Sequence, residues 1–326
     1  MSLTASVHAV RVLMTGATGF VGGHIVEHCL AHGDDIHAVT LPEGDRPLPP
    51  EVTTYPRPLL EADAITELVA EVAPEVLIHL AGEASVGRSF ANPEMTWQVN
   101  TWGTLSVLEA LRRNESTARA VIVTSGEIYG RVPLDQLPVD EDTPLEPLSP
   151  YAASKAAADL MAGQYAENYG LDVIRVRPFN QIGPGQDARF VVPSIAKQIA
   201  EAERAGASEL TISVGNVSTR RDFTDVRDTA KAYRLIAQKA PPGAVYHLCT
   251  GRSLAVREIL DALASQARIP TRVESDPSKQ RAGEQPDLYG SRRLLEEHVG
   301  WEPTIDMEET VRDTLDWWRS SLGGNA

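Results

Sequence analysis

Short apolar runs alternate along the first half of the chain with longer segments whose apolar positions recur every three to four residues. The runs Val10–Thr15, Ile36–Thr40, Val76–Ala81, Ala120–Ser125 and Val173–Arg177 are almost continuously apolar, as strands covered on both faces are. Between them Gly19–Ala31, Ala62–Val72, Pro93–Arg113 and Tyr151–Tyr169 carry helical spacing. This alternation predicts an α/β fold: a parallel sheet, doubly wound, with helices on both faces. Proline-rich Leu41–Pro58 and Arg131–Pro150 read as loops, because proline lacks the donor a central strand needs.

After residue 178 the rhythm changes. Phe179–Arg189 is rich in Gly and Pro, Leu210–Val214 reads as a short strand, Asp225–Gln238 as a helix and Val245–Cys249 as one more strand of the main sheet. Residues 251–326 read as helices with short links, ending in Met307–Ser320. Two lobes follow: a dinucleotide-binding domain over 8–178 plus 222–250, and a smaller lobe over 179–221 and 251–326.

The turn Thr15-Gly16-Ala17-Thr18-Gly19-Phe20-Val21-Gly22 lies between the first strand and the first helix. Gly16 permits a tight turn, Gly19 lets a pyrophosphate approach the backbone, and Gly22 lets helix and sheet pack closely. The helix N-terminus then offers free N–H groups to phosphate. The end of the second strand carries Thr40 and Leu41, neither an acid for a ribose diol nor an arginine for a ribose phosphate; Asp45 and Arg46 follow in the loop. NADH and NADPH therefore both stay open.

Tyr151 and Lys155 stand at i and i+4 in Tyr151-Ala152-Ala153-Ser154-Lys155 and share one helix face. A nearby ammonium is expected to lower the tyrosine pKa, so that the phenol exchanges a proton with an alcohol or ketone near neutral pH. Ser125 ends a predicted strand, where ligands meet an open α/β sheet, and its hydroxyl can hold the substrate oxygen.

Composition narrows the partners. The 326 residues carry 30 Lys and Arg against 45 Asp and Glu, a formal net charge of −15, which argues for a small-molecule site over a polyanion groove or membrane surface. Cys29 and Cys249 are too few for a disulfide framework or metal cluster and read as reduced thiols of a cytoplasmic protein. His24, His28 and His32 line one helix face without a carboxylate or cysteine cluster, so no metal is expected. No apolar run reaches the length of a membrane helix, and no signal peptide is read at the N-terminus.

The motifs TGATGFVG, HLAGEASV, VNTWGT, VTSGEIYG and YAASK together resemble the extended short-chain dehydrogenase/reductase family, over nearly the whole chain. The resemblance implies a Rossmann lobe and a smaller C-terminal lobe for a nucleoside-diphosphate sugar. It implies a catalytic Ser125, Tyr151 and Lys155. Cofactor contacts would come from Gly16, Thr18, Gly19, Phe20, Val21, Gly22, Thr40, Leu59, Leu80, Ala81, Gly82, Asn100 and Pro178, beside Tyr151 and Lys155. The stretch RPFNQIGPGQ and the later RDFTDVRD look most like GDP-4-keto-6-deoxy-D-mannose reductases, which make GDP-D-rhamnose. On that likeness Ser125, Glu127, Asn180, Phe190 and Val191 would touch the sugar nucleotide, Arg221 would face the diphosphate, and Arg281 with Glu284 would serve phosphate and ribose. Glu127, at the position of the dehydratases' base, would act on or position the sugar.

The chain departs from the pattern at Gln181, where a histidine is usual, at Pro58, where many relatives have an acid, and at Met95, where dehydratases carry a tyrosine. Relatives pair through the helices corresponding to 93–113 and 151–169, so a homodimer is expected, with Trp97 and Trp102 in the core or the subunit contact. The expected reaction is hydride transfer from NADPH or NADH to the C4 ketone of a GDP-sugar. A dehydratase or epimerase with a tightly held cofactor is the alternative, and a non-enzymatic NAD(P)-sensing protein a third class.

Overall fold

The computed structural model describes residues 9–41, 47–276 and 285–323. The glycine turn joins β1 (Arg11–Thr15) to α1 (Phe20–Ala31), and β2 (Asp35–Thr40), β3 (Thr53–Pro56), α2 (Ala62–Val72) and β4 (Val76–His79) follow. Next come α3 (Val86–Ala91), α4 (Pro93–Trp97), a π-helical turn at Gln98–Trp102, α5 (Gly103–Arg113) and β5 (Arg119–Val123). The catalytic-motif helix is α6 (Pro150–Tyr169), followed by β6 (Val173–Pro178) and β7 (Asn180–Ile182).

The C-terminal half contains α7 (Val191–Arg204), β8 (Leu210–Val214), β9 (Arg220–Arg221), β10 (Phe223–Asp225), α8 (Val226–Lys239), β11 (Val245–Leu248) and β12 (Leu254–Ala255). It ends with α9 (Val256–Ser265), β13 (Thr271–Ser275), β14 (Asp287–Leu288), α10 (Arg293–Val299) and α11 (Met307–Gly323).

Seven strands make one parallel sheet in the order β11-β6-β5-β4-β1-β2-β3. The strand order reverses beside β1, whose neighbours are β2 and β4, and such a switch point opens a crevice at the strands' C-terminal ends. One face is filled by Ile25, Val26, Ile36, Ile78, Tyr233 and Trp301, and the other by Leu68, Leu77, Leu108, Ile122 and Tyr165. A third core, away from the sheet, joins Ile182, Ile195, Ile199, Ile212, Leu260 and Leu315.

Three expectations are corrected. Leu41–Pro58 is not loop throughout: β3 forms the sheet's outer edge, where Pro56 does no harm because an edge strand needs fewer donors. Pro93–Arg113 is not one regular helix but two α segments around the π turn that carries Asn100. The region after 251 also contains strands; β13 escaped notice because its partner, β8, lies some sixty residues earlier.

Among the described residues no helix is long and apolar enough to cross a membrane.

Candidate active site

Local sequence explains how α6 presents its motif. Ser149 caps it, its hydroxyl accepting from the Ala152 N–H at 3.0 Å, Pro150 opens the first turn, and Gly170 ends it in the left-handed conformation at φ +68°. Each is the residue type its position favours. Tyr151 and Lys155 are thereby held on one buried face.

The strand facing them is β5. Lys155 Nζ donates to the Val123 carbonyl oxygen at 2.9 Å. Ser125, two residues on, is buried, and its hydroxyl accepts from the Glu127 N–H at 3.1 Å, capping the 3-10 turn Gly126–Tyr129. Glu127 is half-buried on that turn.

Burial pushes the Tyr151 phenol up to about 12; the Ser125 hydroxyl opposes the rise, and the Glu127 and Glu83 carboxylates add to it. Burial lowers Lys155 to about 8. The expectation that Lys155 would depress the tyrosine is therefore corrected for the protein alone: desolvation and two carboxylates raise the phenol, and the ammonium is directed at a backbone carbonyl. Tyr151 is held as a neutral phenol, the form that can give a proton away.

The glycine turn is equally explicit. Gly16 has φ +75°, and a Cβ there would lie 2.7 Å from Ala81 N; at Gly22 it would lie 2.1 Å from Gly16 O. Both glycines are required by the protein's own packing. Gly19 differs: its φ is −74°, and an added Cβ would meet only Gly16 O, at 3.2 Å. It is exposed, as a surface for a phosphate must be.

Gly82 lies between the two halves of the site. A Cβ on it would come within 2.7 Å of Asn100 Oδ1 and 3.2 Å of Lys155 Nζ. Asn100 is fully buried. Its Oδ1 accepts from the Glu83 N–H at 2.8 Å, and its Nδ2 donates to Ser154 Oγ at 2.9 Å and to Glu83 O at 3.2 Å. The strand end Leu80-Ala81-Gly82, the π turn and α6 are therefore bound together next to the lysine.

A neutral relay that sequence reading did not find continues from there. Thr104 Oγ1 donates to Asn100 O at 2.6 Å and lies 3.1 Å from His79 Nε2; His79 Nδ1 lies 2.7 Å from Thr15 Oγ1. Since the Thr104 proton is used on Asn100, His79 carries its proton on Nε2, and Thr15 donates to Nδ1. Burial, with Lys155 adding, lowers His79 to about 3, so it is neutral. A polar residue inside the apolar run VLIHL was the available signal.

The other predicted residues are placed as follows. Thr40 ends β2, and half-buried Leu59 packs against the core beneath α2 and α5. Thr18, Phe20, Val21 and Leu80 are half-buried around the turn and the end of β4, and Pro178 ends β6. Asn180 begins β7, its N–H donating to Asp222 O at 3.0 Å. Phe190 caps α7 and exposed Val191 opens it. Arg221 is half-buried, its Nη1 donating to the carbonyls of Arg220 at 2.7 Å and Gln285 at 2.9 Å. Asp45, Arg46, Arg281 and Glu284 lie outside the described residues.

Three buried carboxylates of RDFTDVRD join the halves of the chain. Asp222 accepts from the N–H groups of Thr250, Gly251 and Arg252, Asp225 from the Thr310 hydroxyl, and Asp228 from the N–H groups of Thr304 and Ile305. The motif thus anchors the C-terminal segments.

A glycine-rich turn at the end of a doubly wound sheet, beside a buried Ser-Tyr-Lys group, defines an enzyme class, and comparison with known proteins agrees. The chain belongs to the GDP-mannose 4,6 dehydratase family, whose model matches residues 13–314, within the extended short-chain dehydrogenases/reductases. It is 35% identical to GDP-6-deoxy-D-mannose reductase of Pseudomonas aeruginosa, over 96% of this chain and 98% of that one. It is 33% identical to UDP-glucose 4-epimerase of Mycolicibacterium smegmatis, over 95% and 99%. Among solved structures, RMD from Pseudomonas aeruginosa complexed with NADPH superposes with a TM-score of 0.82 at 34% identity, covering 96% of this chain and 98% of that one. The Thermus thermophilus UDP-glucose 4-epimerase complex with NAD gives 0.84 at 31%, covering 97% and 100%.

Proposed function

We propose that this chain reduces the C4 ketone of a nucleoside-diphosphate 4-keto-6-deoxy sugar with NADPH or NADH, converting GDP-4-keto-6-deoxy-D-mannose to GDP-D-rhamnose. The observation that carries the reading is the buried, neutral Tyr151 phenol beside Ser125 at the end of β5. Similarity to a GDP-6-deoxy-D-mannose reductase supports the choice of sugar.

The residues present fit a nicotinamide dinucleotide. The exposed face of Gly19 suits the diphosphate, and the Gly82–Asn100–Lys155 contact suits a ribose. The bound cofactor supplies the hydride. Tyr151 gives its proton to the C4 oxygen, which Ser125 orients, and Lys155 favours the phenolate that remains. Asn180, Phe190, Val191 and Arg221 take the sugar nucleotide, with Arg281 and Glu284.

We take the lobes to divide into 8–178 plus 222–250 against 179–221 and 251–326, although Leu295, Val299 and Trp301 of the last segment pack back onto the sheet. Subunits pair through 93–113 and 151–169, whose Met95, Trp102, Leu160 and Tyr169 are exposed, and the enzyme works in the cytoplasm, consistent with its two free thiols.

A second reading, a dehydratase or epimerase holding its cofactor tightly, is favoured by one feature: the Glu127 carboxylate acts on Tyr151. The test is a panel of GDP-, dTDP-, UDP- and CDP-linked 4-keto-6-deoxy sugars with cofactor absorbance followed. Stoichiometric oxidation of NADPH or NADH with the GDP-sugar is expected. Conversion without net cofactor consumption would establish the second reading instead.

A further inference from the structure

Three successive residues of the β5 end meet three successive turns of α6. Lys155 reaches the Val123 carbonyl at 2.9 Å, and the Ser125 hydroxyl acts on the Tyr151 phenol. The middle residue, Thr124, donates its hydroxyl proton to Asp159 Oδ2 at 3.0 Å. Tyr151, Lys155 and Asp159 stand at i, i+4 and i+8, so one stripe of the helix makes all three contacts.

Asp159 is fully buried. Arg177 grips it with both arms, Nε to Oδ2 at 2.9 Å and Nη2 to Oδ1 at 2.8 Å, and Arg175 Nη1 adds a contact at 3.1 Å. Burial alone would raise this carboxyl; the two guanidiniums and the Thr124 hydroxyl overcome that and keep it below its ordinary range.

Arg177 continues the connection. Its Nη1 donates to Tyr129 OH at 2.7 Å and to Glu141 O at 2.8 Å. Having accepted from Arg177, Tyr129 donates to His247 Nε2 at 2.5 Å. Tyr129 closes the 3-10 turn that begins beside Ser125 and carries Glu127. One carboxylate thus fixes α6 to β5, β6 and the turn that carries the substrate-facing groups.

We infer that Asp159 is a positioning residue for the reduction: it sets the depth of α6 against β5, and so the placement of the Tyr151 hydroxyl relative to Ser125. It touches neither substrate nor cofactor. The inference rests on the Ser125–Tyr151–Lys155 reading, whose own failure would show separately as normal turnover in Tyr151→Phe.

A one-ångström misplacement can cost up to about 100-fold in rate. Asp159→Asn keeps the shape but loses one acceptor of the charged fork. Its kcat should fall roughly 10-fold or more, with KM for the sugar nucleotide and the Kd for NADPH within about 2-fold, since each stays within a fraction of the pairing energy. The limb of the kcat–pH profile set by Tyr151 should also move, which a purely structural role would not cause. Unchanged kcat and pH profile, or a loss of kcat matched by loss of NADPH binding, overturns the inference.

Should Asp159→Asn fail to fold, Thr124→Val removes the middle contact, together with the longer 3.2 Å approach of the same hydroxyl to the Val176 carbonyl. A smaller fall in kcat at unchanged NADPH affinity is then expected, and wild-type kcat with a wild-type pH profile overturns the inference.

Discussion

The two flanks of α6 are held by different chemistry. Toward the glycine turn, the contacts run through Ser154, Asn100, Thr104, His79 and Thr15, all of them uncharged. Toward β6 and β11 they run through Asp159, Arg177 and Arg175, with full charges. The difference follows the ligand. Under the proposed function a dinucleotide would bring its own anionic diphosphate to the first flank, where a fixed buried charge would compete with it and with Lys155. On the second flank a paired carboxylate and guanidinium give geometry that neutral groups hold less firmly. Neutral contacts tune the site, while charged contacts fix its frame.

The comparison breaks first at Arg177. Arg177→Met leaves Asp159 buried with less than its full pairing, and we expect a loss of about 3–5 kcal/mol in urea unfolding, the scale for breaking a buried pair. On the neutral flank Asn100→Ala should cost only about 1–3 kcal/mol, the scale for unsatisfied neutral groups. Equal losses would erase the distinction between the flanks.

Between the flanks stands Tyr151, the proposed general acid. Tyr151→Phe should lower turnover by roughly 100-fold or more through loss of the general acid, with little change in stability, since the ring remains. Steady-state kinetics together with a NADPH titration check this; near-normal turnover would remove Tyr151 from the proton step.

The glycines sharpen the same contrast on the cofactor side. Gly19→Val is expected to fold, because φ is ordinary there and a Cβ meets only Gly16 O. The branched side chain should nevertheless block the diphosphate. Gly22→Ala should instead lower the yield of folded protein, since its Cβ would overlap Gly16 O. Calorimetric titration and thermal melting of the two variants separate these effects, and a Gly19→Val protein with native NADPH affinity would make that glycine merely structural.

How far the sequence disclosed this arrangement follows from the kind of signal each part leaves. The parallel sheet and the Tyr151/Lys155 face were legible because periodicity and spacing are local. Ser125 was placed by its position at a strand end. Asp159 shows the limit: it sits on the same i+4 ladder as Lys155, yet only Thr124 and Arg177, brought in from two strands, reveal what it does. The π turn left no mark, since QVNTW fits an α-helix equally well. The β8–β13 pair was hidden by sequence distance. The tyrosine's acidity was misjudged for a related reason: spacing shows the ammonium, but burial and the carboxylates of Glu127 and Glu83 appear only in three dimensions.

The last expected effect belongs to the neutral flank, is absent near neutral pH and appears only in acid. His79 is lowered to about 3 in the folded protein, by burial first and Lys155 second, while an unfolded histidine titrates near about 6.5. Between those values the unfolded chain holds a proton that the folded protein does not. Stability is therefore fully present above about 6.5 and is lost as the pH falls toward about 3. His247, also lowered to about 3, contributes in the same window. His79→Gln retains one donor and one acceptor, so Thr15 and Thr104 keep partners, but it has no titrating proton. Near pH 8, on the neutral side of about 6.5, the variant should melt close to the parent. In acid its stability should fall less steeply, with proton uptake on unfolding smaller by about one. Urea unfolding across the acid range measures that slope. An unchanged slope would mean that His79 is protonated in the folded protein, and the neutral flank would then carry a charge after all.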